Sequence, residues 1–250
     1  MKKSALLPLT IIFLFGCKSD PSAPANNAGI IPLNIGNTWV YKVSRLLPDS
    51  LGGETSGNVT IRIEKDTSVD GSIWYIVPDV FHPNPNFQTN SSQGLMEFFI
   101  QNTLPTSASP KTLKYKFPCS AGDRYDITID KWPDSTQPTR SYWENLSTNE
   151  LITVQGKQYI TYHYQFIFEN YNASTSIILS RDTAYSAYLE PSIGLIKAVQ
   201  TTGKIVYHQK PDSLITIPEI FTAELSSYKK AGSPSRLSTV NCKLLTVSFP

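Results

Sequence analysis

Short segments in which apolar and polar residues alternate recur along most of the chain, and they constrain its fold more than any other feature. In residues 58–64, three β-branched aliphatic side chains alternate with polar ones, as a strand with one buried face requires. Turn dipeptides such as Asp70-Gly71 and Gln155-Gly156 separate neighbouring segments and are typical of hairpins. The pattern predicts an all-β antiparallel fold, a sandwich or a flattened, half-open barrel of about 11–13 strands.

The amino terminus has the pattern of an export signal. Lys2 and Lys3 precede an apolar run from Ala5 to Phe15, which is typical of a signal-peptide core with its basic end on the cytoplasmic side. The run has 11 residues, and at ~1.5 Å per residue it is too short to span ~30 Å of hydrocarbon as a permanent helix. Residues 1–16 are therefore predicted to be a signal peptide.

The end of this leader, Leu14-Phe15-Gly16-Cys17, resembles a bacterial lipobox. The resemblance implies cleavage after Gly16, a diacylglyceryl thioether on Cys17 and acylation of the new amino terminus by a fatty chain such as palmitate. Two or more buried chains anchor a protein stably, whereas one binds marginally. The alternative is an ordinary secretory signal with a chance cysteine.

Residues 17–29 are small, polar and proline-bearing, and they are predicted to form a lipidated, flexible tether. Lys18, rather than an aspartate, follows Cys17. By resemblance to lipoprotein sorting in diderm bacteria, this argues against retention in the inner membrane. The expected location is the cell envelope, at the outer membrane.

Residues 30–250 are predicted to be a single all-β domain that opens with Pro32-Leu33-x-x-Gly36-Asn37-x-Trp39-x-Tyr41. This opening motif resembles that of uncharacterised lipoproteins from Bacteroidetes-like bacteria. A second stretch, Pro191–Lys197, resembles the Pro-x-x-Gly-Leu-Ile/Val-Lys motif of the same family. The resemblance implies no established chemistry.

Charge argues against one class of partner. The whole chain has 22 basic and 20 acidic residues, and two of the lysines lie in the leader. The mature chain is therefore close to neutral, which gives no electrostatic basis for binding nucleic acid.

Cysteine use suggests a disulfide. Lipidation would consume Cys17, leaving Cys119 and Cys242. Leftover thiols of exported proteins commonly pair, so a Cys119–Cys242 disulfide is one prediction. Two separate buried thiols are the other.

Candidate ligand-binding residues are aromatic. Tyr162, Tyr164, Phe166 and Phe168 share one face of a predicted strand, where they could line a cavity for a lipid, stack on sugar rings or form the core of a sandwich. Two long predicted loops, residues 78–93 and 131–150, carry further aromatic anchors, among them Trp132 and Trp143. Such side chains suit contact with a glycan or a protein, or they cap the sandwich.

Catalytic and metal-binding patterns are not found. The three histidines, His82, His163 and His208, lack zinc-like spacing, and the serine-hydrolase elbow, the zinc-protease motif and phosphate-binding glycine loops are absent. The sequence therefore predicts no catalytic residue, metal or cofactor.

Three functional hypotheses remain. The leading one is a non-enzymatic lipoprotein anchored at the outer membrane, a binding or structural module that contacts a protein, glycan or lipid through its loops or a sheet face. The second is a carrier of a lipid or other apolar ligand in a barrel-like cavity. The third is a glycan-acting hydrolase, which needs two carboxylates facing each other across a cleft.

Overall fold

A computed structural model describes residues 29–47, 51–82, 84–98, 105–130, 138–172, 174–207 and 214–232. For residue 130 and for residues 203–207 and 214–217 only the backbone is described. The predicted signal peptide, Gly16, Cys17, Trp132, His208 and Cys242 lie outside the described residues. The signal peptide, the tether and the single-domain division stay predictions.

The described residues form thirteen strands and no α-helix, which confirms the predicted all-β class. The strands are β1 (Thr38–Leu46), β2 (Glu54–Arg62), β3 (Lys65–Val69), β4 (Ser72–Val77), β5 (Asn86–Ser91), β6 (Gly94–Phe98), β7 (Lys111–Lys116), β8 (Arg124–Asp130), β9 (Thr139–Val154), β10 (Lys157–Tyr171), β11 (Ile178–Glu190), β12 (Gly194–Tyr207) and β13 (Leu214–Lys229). In these ranges no helix is long and apolar enough to cross a membrane.

The strands form two antiparallel sheets that do not close into a barrel. The large sheet has eight strands in the order β2-β1-β13-β12-β11-β10-β9-β8. The small sheet has five, in the order β3-β4-β5-β6-β7. The small sheet covers part of one face of the large one, and a hydrophobic core lies between them.

The two predicted hairpin turns occur where the dipeptides indicated. Asp70 and Gly71 join β3 to β4, with φ of 52° and 74°. Gln155 and Gly156 join β9 to β10, with φ of 49° and 76°. Paired left-handed residues of this kind match the right-handed twist of the strands that they join.

The two predicted long loops are wrong over much of their length. Strand β5 lies within residues 78–93, and the first part of β9 lies within residues 131–150. The polar residues of these stretches form strands because they pair with residues on neighbouring strands. Glu144, for example, is paired with both Arg124 and Gln165. Trp143 is consequently held on a strand and not on a loop.

The opening motif and the second family-like stretch contact each other. The Trp39 indole Nε1 donates to the Ile193 carbonyl at 2.6 Å, and the Tyr41 hydroxyl donates to the Leu195 carbonyl at 2.9 Å. Gly194 has a φ of 99°, and a Cβ there would lie 3.6 Å from Trp39 Nε1. The two motifs therefore fasten β1 to the turn between β11 and β12.

A charged network stabilises the outer face of the large sheet, the face turned away from the small sheet. Glu169 is fully buried and accepts hydrogen bonds from Tyr142 Oη and Arg140 Nη2, both at 2.5 Å. Burial alone would raise the pKa of Glu169, but the bonds from Tyr142 and Arg140 outweigh it and lower that pKa. This network connects β9 to β10 without touching the layer between the sheets.

Candidate functional site

The layer between the sheets is filled at one end and open at the other. The open end is a cleft of about 410 Å³, and next to it lies an inner chamber of about 70 Å³. The cleft and the chamber share four lining residues: Asp79, Asn86, Lys114 and Tyr185. The cleft lies within the size range of small-molecule sites, roughly 300–1,000 Å³.

One wall of the cleft is aromatic. Trp143, Phe166 and Tyr185 are register partners on the neighbouring strands β9, β10 and β11. The Trp143 ring centroid lies 5.2 Å from that of Phe166 and 6.0 Å from that of Tyr185. Phe81 extends the row, with its ring 6.2 Å from Tyr185. We call these four residues the aromatic wall.

The opposite wall is polar and belongs to the small sheet. Gln88 and Glu97 are register partners on β5 and β6, and Gln88 Nε2 donates to Glu97 Oε2 at 2.8 Å. Lys114 Nζ, on β7, donates to the same oxygen at 2.6 Å. Glu97 and Lys114 line the cleft, whereas Gln88 lines the adjoining chamber. We call Gln88, Glu97 and Lys114 the polar row.

A β-bulge brings Lys114 into this row. The register of β6 with β7 jumps from Leu95↔Tyr115 to Met96↔Leu113 and so skips Lys114. An extra residue of this kind redirects a side chain that strict alternation would send to the other face. As a result both Lys114 and Tyr115 face the layer between the sheets.

The Lys114 ammonium stays charged. Burial alone would lower the pKa of Lys114, but the Glu97 carboxylate, together with Tyr185 and Asp79, raises it above its ordinary value. Burial also raises the pKa of Tyr185 well above its ordinary value. At neutral pH the cleft therefore contains a fixed ion pair beside a neutral phenol.

Two further carboxylates reach the cleft. Asp79 accepts from the backbone N–H groups of Phe81 and His82, at 2.7 and 3.0 Å, and from Asn86 Nδ2 at 3.0 Å. Asp126 lies at the rim, at an irregularity in the pairing of β8 with β9, with a φ of 51°. Partial burial raises the pKa of Asp126.

The predicted aromatic row of β10 is divided between core and cleft. Tyr164 is fully buried, and its hydroxyl donates to the Lys116 carbonyl at 2.8 Å. Tyr162 packs edge-on against Phe117, with ring centroids 5.3 Å apart. Phe166 lines the cleft, and Phe168 packs against Phe166 and is partly exposed. A ligand-binding role for these residues and for Trp143 stays a prediction.

Cys119 lies at the closed end of the layer. Its sulfur is 3.3 Å from the Tyr164 hydroxyl oxygen, and burial raises the pKa of its thiol. Because Cys242 is outside the described residues, the Cys119–Cys242 disulfide stays a prediction. Within the described part of the chain, no group of three or more His, Cys, Asp and Glu side chains could hold a metal ion.

A serine, a histidine and a glutamate form a hydrogen-bonded chain elsewhere on the large sheet. His163 Nδ1 is 2.7 Å from Glu150 Oε2, and His163 Nε2 is 2.7 Å from Ser186 Oγ. These distances resemble those of a catalytic triad. Ser186, however, is paired in register with both Gln165 and Val199, so the ladder engages its own backbone N–H, which is not available to stabilise an oxyanion. These hydrogen bonds therefore link the neighbouring strands β9, β10 and β11 and have a structural role.

Sequence reasoning missed the polar row and both further carboxylates. Gln88 falls within the predicted loop at 78–93, and the sequence assigns no face to Glu97 or Lys114. The available signal is weak: the paired strands β6 and β7 both carry charged residues. Nothing in that pattern tells which face is covered.

Comparisons with known proteins identify no family for this chain. No family model matches it, and no curated protein matches it. Similar solved structures include a protein from Parabacteroides distasonis described as a "putative lipoprotein", which is 11% identical with a TM-score of 0.39 over 80% of this chain and 98% of that one. They also include a LolA superfamily protein from Nitrosomonas europaea, 9% identical with a TM-score of 0.22 over 82% of this chain and 90% of that one. At such low identities and TM-scores, neither likeness assigns a ligand or an activity.

Proposed function

We propose that this protein is an envelope-anchored binding protein that holds a small amphipathic molecule in the cleft between its two sheets. The observation that carries the proposal is the cleft of about 410 Å³, with an aromatic wall on one side and Glu97 and Lys114 of the polar row on the other. Small-molecule sites usually combine apolar walls with a few placed polar groups. The cleft favours the carrier hypothesis over binding through surface loops.

Two of the three carboxylates of the cleft are already engaged by partners from this chain, which favours binding over hydrolysis. Glu97 accepts from Lys114 and Gln88, and Asp79 accepts from two backbone N–H groups and Asn86. Glycoside hydrolysis by two carboxylates needs an acid and a base that face each other across the scissile bond. Glu97 and Asp79 are instead held in the cleft walls by these hydrogen bonds.

The anchor is part of the proposal and is supported by the lipobox-like Leu14–Cys17. A tether of this length spans about 20 Å as a coil, which would hold the cleft clear of the membrane. Cell fractionation tests the anchor: Cys17→Ser should move the protein out of the membrane fraction. Unchanged membrane association would refute it.

Binding is tested on the mature chain carrying Cys17→Ser, by isothermal titration with octyl glucoside below its micellar concentration. We expect saturable binding that Trp143→Ala weakens about tenfold, because removal of a stacking indole costs about 1.4 kcal/mol.

Tyr188→Ala is the matched control. Tyr188 lies on the same sheet but does not line the cleft. Its ring stacks on that of His163, with the centroids 4.1 Å apart, so its loss should leave the affinity unchanged. Binding that Trp143→Ala and Tyr188→Ala weaken equally would contradict the assignment of the cleft. Release of glucose from the probe would support the hydrolase instead.

A further inference from the structure

The charges along the cleft do not balance, and the excess is negative. Among the described residues that line it, Asp79, Glu97 and Asp126 are acidic, and Lys114 is the one lysine or arginine. No ion pair to Asp126 is present within the described ranges. A ligand that enters therefore meets a negative field, which low-dielectric walls strengthen.

Lys114 is unsuited to receive an anion. Its ammonium already donates to Glu97 at 2.6 Å, and Asp79 is near enough to raise its pKa. A carboxylate or phosphate placed beside Lys114 would also approach these two carboxylates. The repulsion from two carboxylates at such short range outweighs the attraction to one ammonium that is already shared.

A buried acceptor in the chamber wall lacks a donor. Gln88 is 5% exposed and lines the inner chamber. Its Nε2 bonds to Glu97, whereas its Oε1 is buried without a hydrogen-bond partner among the described residues. An unpaired buried acceptor costs roughly 1–3 kcal/mol, and a ligand N–H group could recover that energy.

The aromatic wall also suits a cation. Trp, Tyr and Phe faces attract ammonium groups by about 0.5–2 kcal/mol, with Trp the strongest. Trp143 and Tyr185 belong to this wall and also border the acidic groups. Both walls therefore favour the same sign of charge.

We infer that the cleft selects for a positively charged amine attached to an apolar group and discriminates against carboxylate and phosphate head groups. This inference rests on the proposed function, because it names the class of ligand for the same cleft. The ammonium group points towards Gln88 and the acidic groups, and the apolar group packs on the aromatic wall.

The test compares three probes with the same alkyl chain on the mature Cys17→Ser protein: octylamine, octyl glucoside and octanoate, each below its micellar concentration. We expect octylamine to bind at least tenfold tighter than octanoate, with octyl glucoside between them, and the preference to shrink as salt is raised. Ethylamine, tested alongside, should bind far more weakly than octylamine, because it carries the ammonium group without the long apolar chain; equal binding would contradict the role of the aromatic wall.

Variants test the charges. Asp126→Asn should reduce octylamine affinity about threefold, and Glu97→Gln should reduce it further while strengthening octanoate binding, because Lys114 is then released. Asp70→Asn is the matched control, since Asp70 pairs with Lys111 at 3.1 Å outside the cleft, and it should change neither affinity. Circular dichroism verifies the fold of each variant, and Asp126→Asn at the rim provides the test if Glu97→Gln does not fold.

The outcomes separate the inference from the proposed function. Octanoate or octyl glucoside binding as tightly as octylamine overturns the charge selection and leaves the binding function standing. Failure of all three alkyl probes to bind overturns both.

Discussion

Tyr164 and Phe166 lie two residues apart on the same face of β10, but their surroundings differ completely. Tyr164 is fully buried, with its ring 5.1 Å from Tyr115, whereas Phe166 borders the cleft beside Trp143. What changes between them is the opposite sheet. It presents Leu95 and Tyr115 to the first, and Glu97 and Lys114 to the region of the second.

The difference shows that alternation decides on which face of the sheet a side chain lies, whereas the residues of the opposite sheet decide how deeply it is buried. Apolar residues on both sheets interdigitate and exclude water. A hydrogen-bonded ion pair on one sheet cannot pack in that way, because its groups resist desolvation. The polar row therefore keeps one end of the layer open.

The largest expected effect contrasts the two aromatic residues directly. Tyr164→Ala should lower the free energy of unfolding by about 3–5 kcal/mol, because it leaves a cavity in a filled core. Phe166→Ala should cost less than about 2 kcal/mol, because its ring already faces open space. Urea unfolding of both variants measures the contrast, and equal losses would contradict the division into a filled and an open end.

The second effect concerns the cost of the polar row. Glu97→Gln should lower the free energy of unfolding by about 2 kcal/mol, because it leaves the largely buried Lys114 ammonium without its carboxylate partner. The double change Glu97→Leu with Lys114→Met should regain most of that loss, since apolar replacement of both partners is often neutral or stabilising. Urea unfolding measures both variants. A double variant less stable than Glu97→Gln would show that the ion pair itself stabilises the fold.

The smallest effect is a pH dependence at the rim. The pKa of Asp126 is raised above 3.8 in the folded protein, so the folded state holds this proton more tightly than the unfolded chain does. The contribution of Asp126 to stability is then present at low pH and is lost as pH rises through the raised pKa.

Asp126→Asn removes that dependence. As the pH rises from acid to neutral, the variant should become more stable relative to wild type. The gain in the free energy of unfolding should reach at most about 0.5 kcal/mol, because the site is exposed. Thermal unfolding from pH 3 to pH 7 measures it, with Asp70→Asn as the control. A variant that loses stability relative to wild type over the same range would contradict the raised pKa.

Local pattern predicted much of the fold. The alternation of residues 162–168 identified the shared aromatic face, and Asp70-Gly71 and Gln155-Gly156 identified two hairpins. These signals are local, since a strand face and a two-residue turn depend on neighbours in sequence. The loops predicted at 78–93 and 131–150 failed because polar composition resembles a loop until its partners across the ladder are known.

By itself, then, the sequence determined the all-β class, the hairpins and the face of the aromatic row, because each follows from spacing along one segment. Only the tertiary structure decided that Trp39 bonds to the Ile193 carbonyl, that a bulge sends Lys114 inward to Glu97, and that Gln88 ends beside them. Those contacts join strands across a large sheet, or depend on one skipped residue in a ladder. The periodicity of a single segment predicts neither which strand will be its partner nor where a bulge will interrupt the pairing.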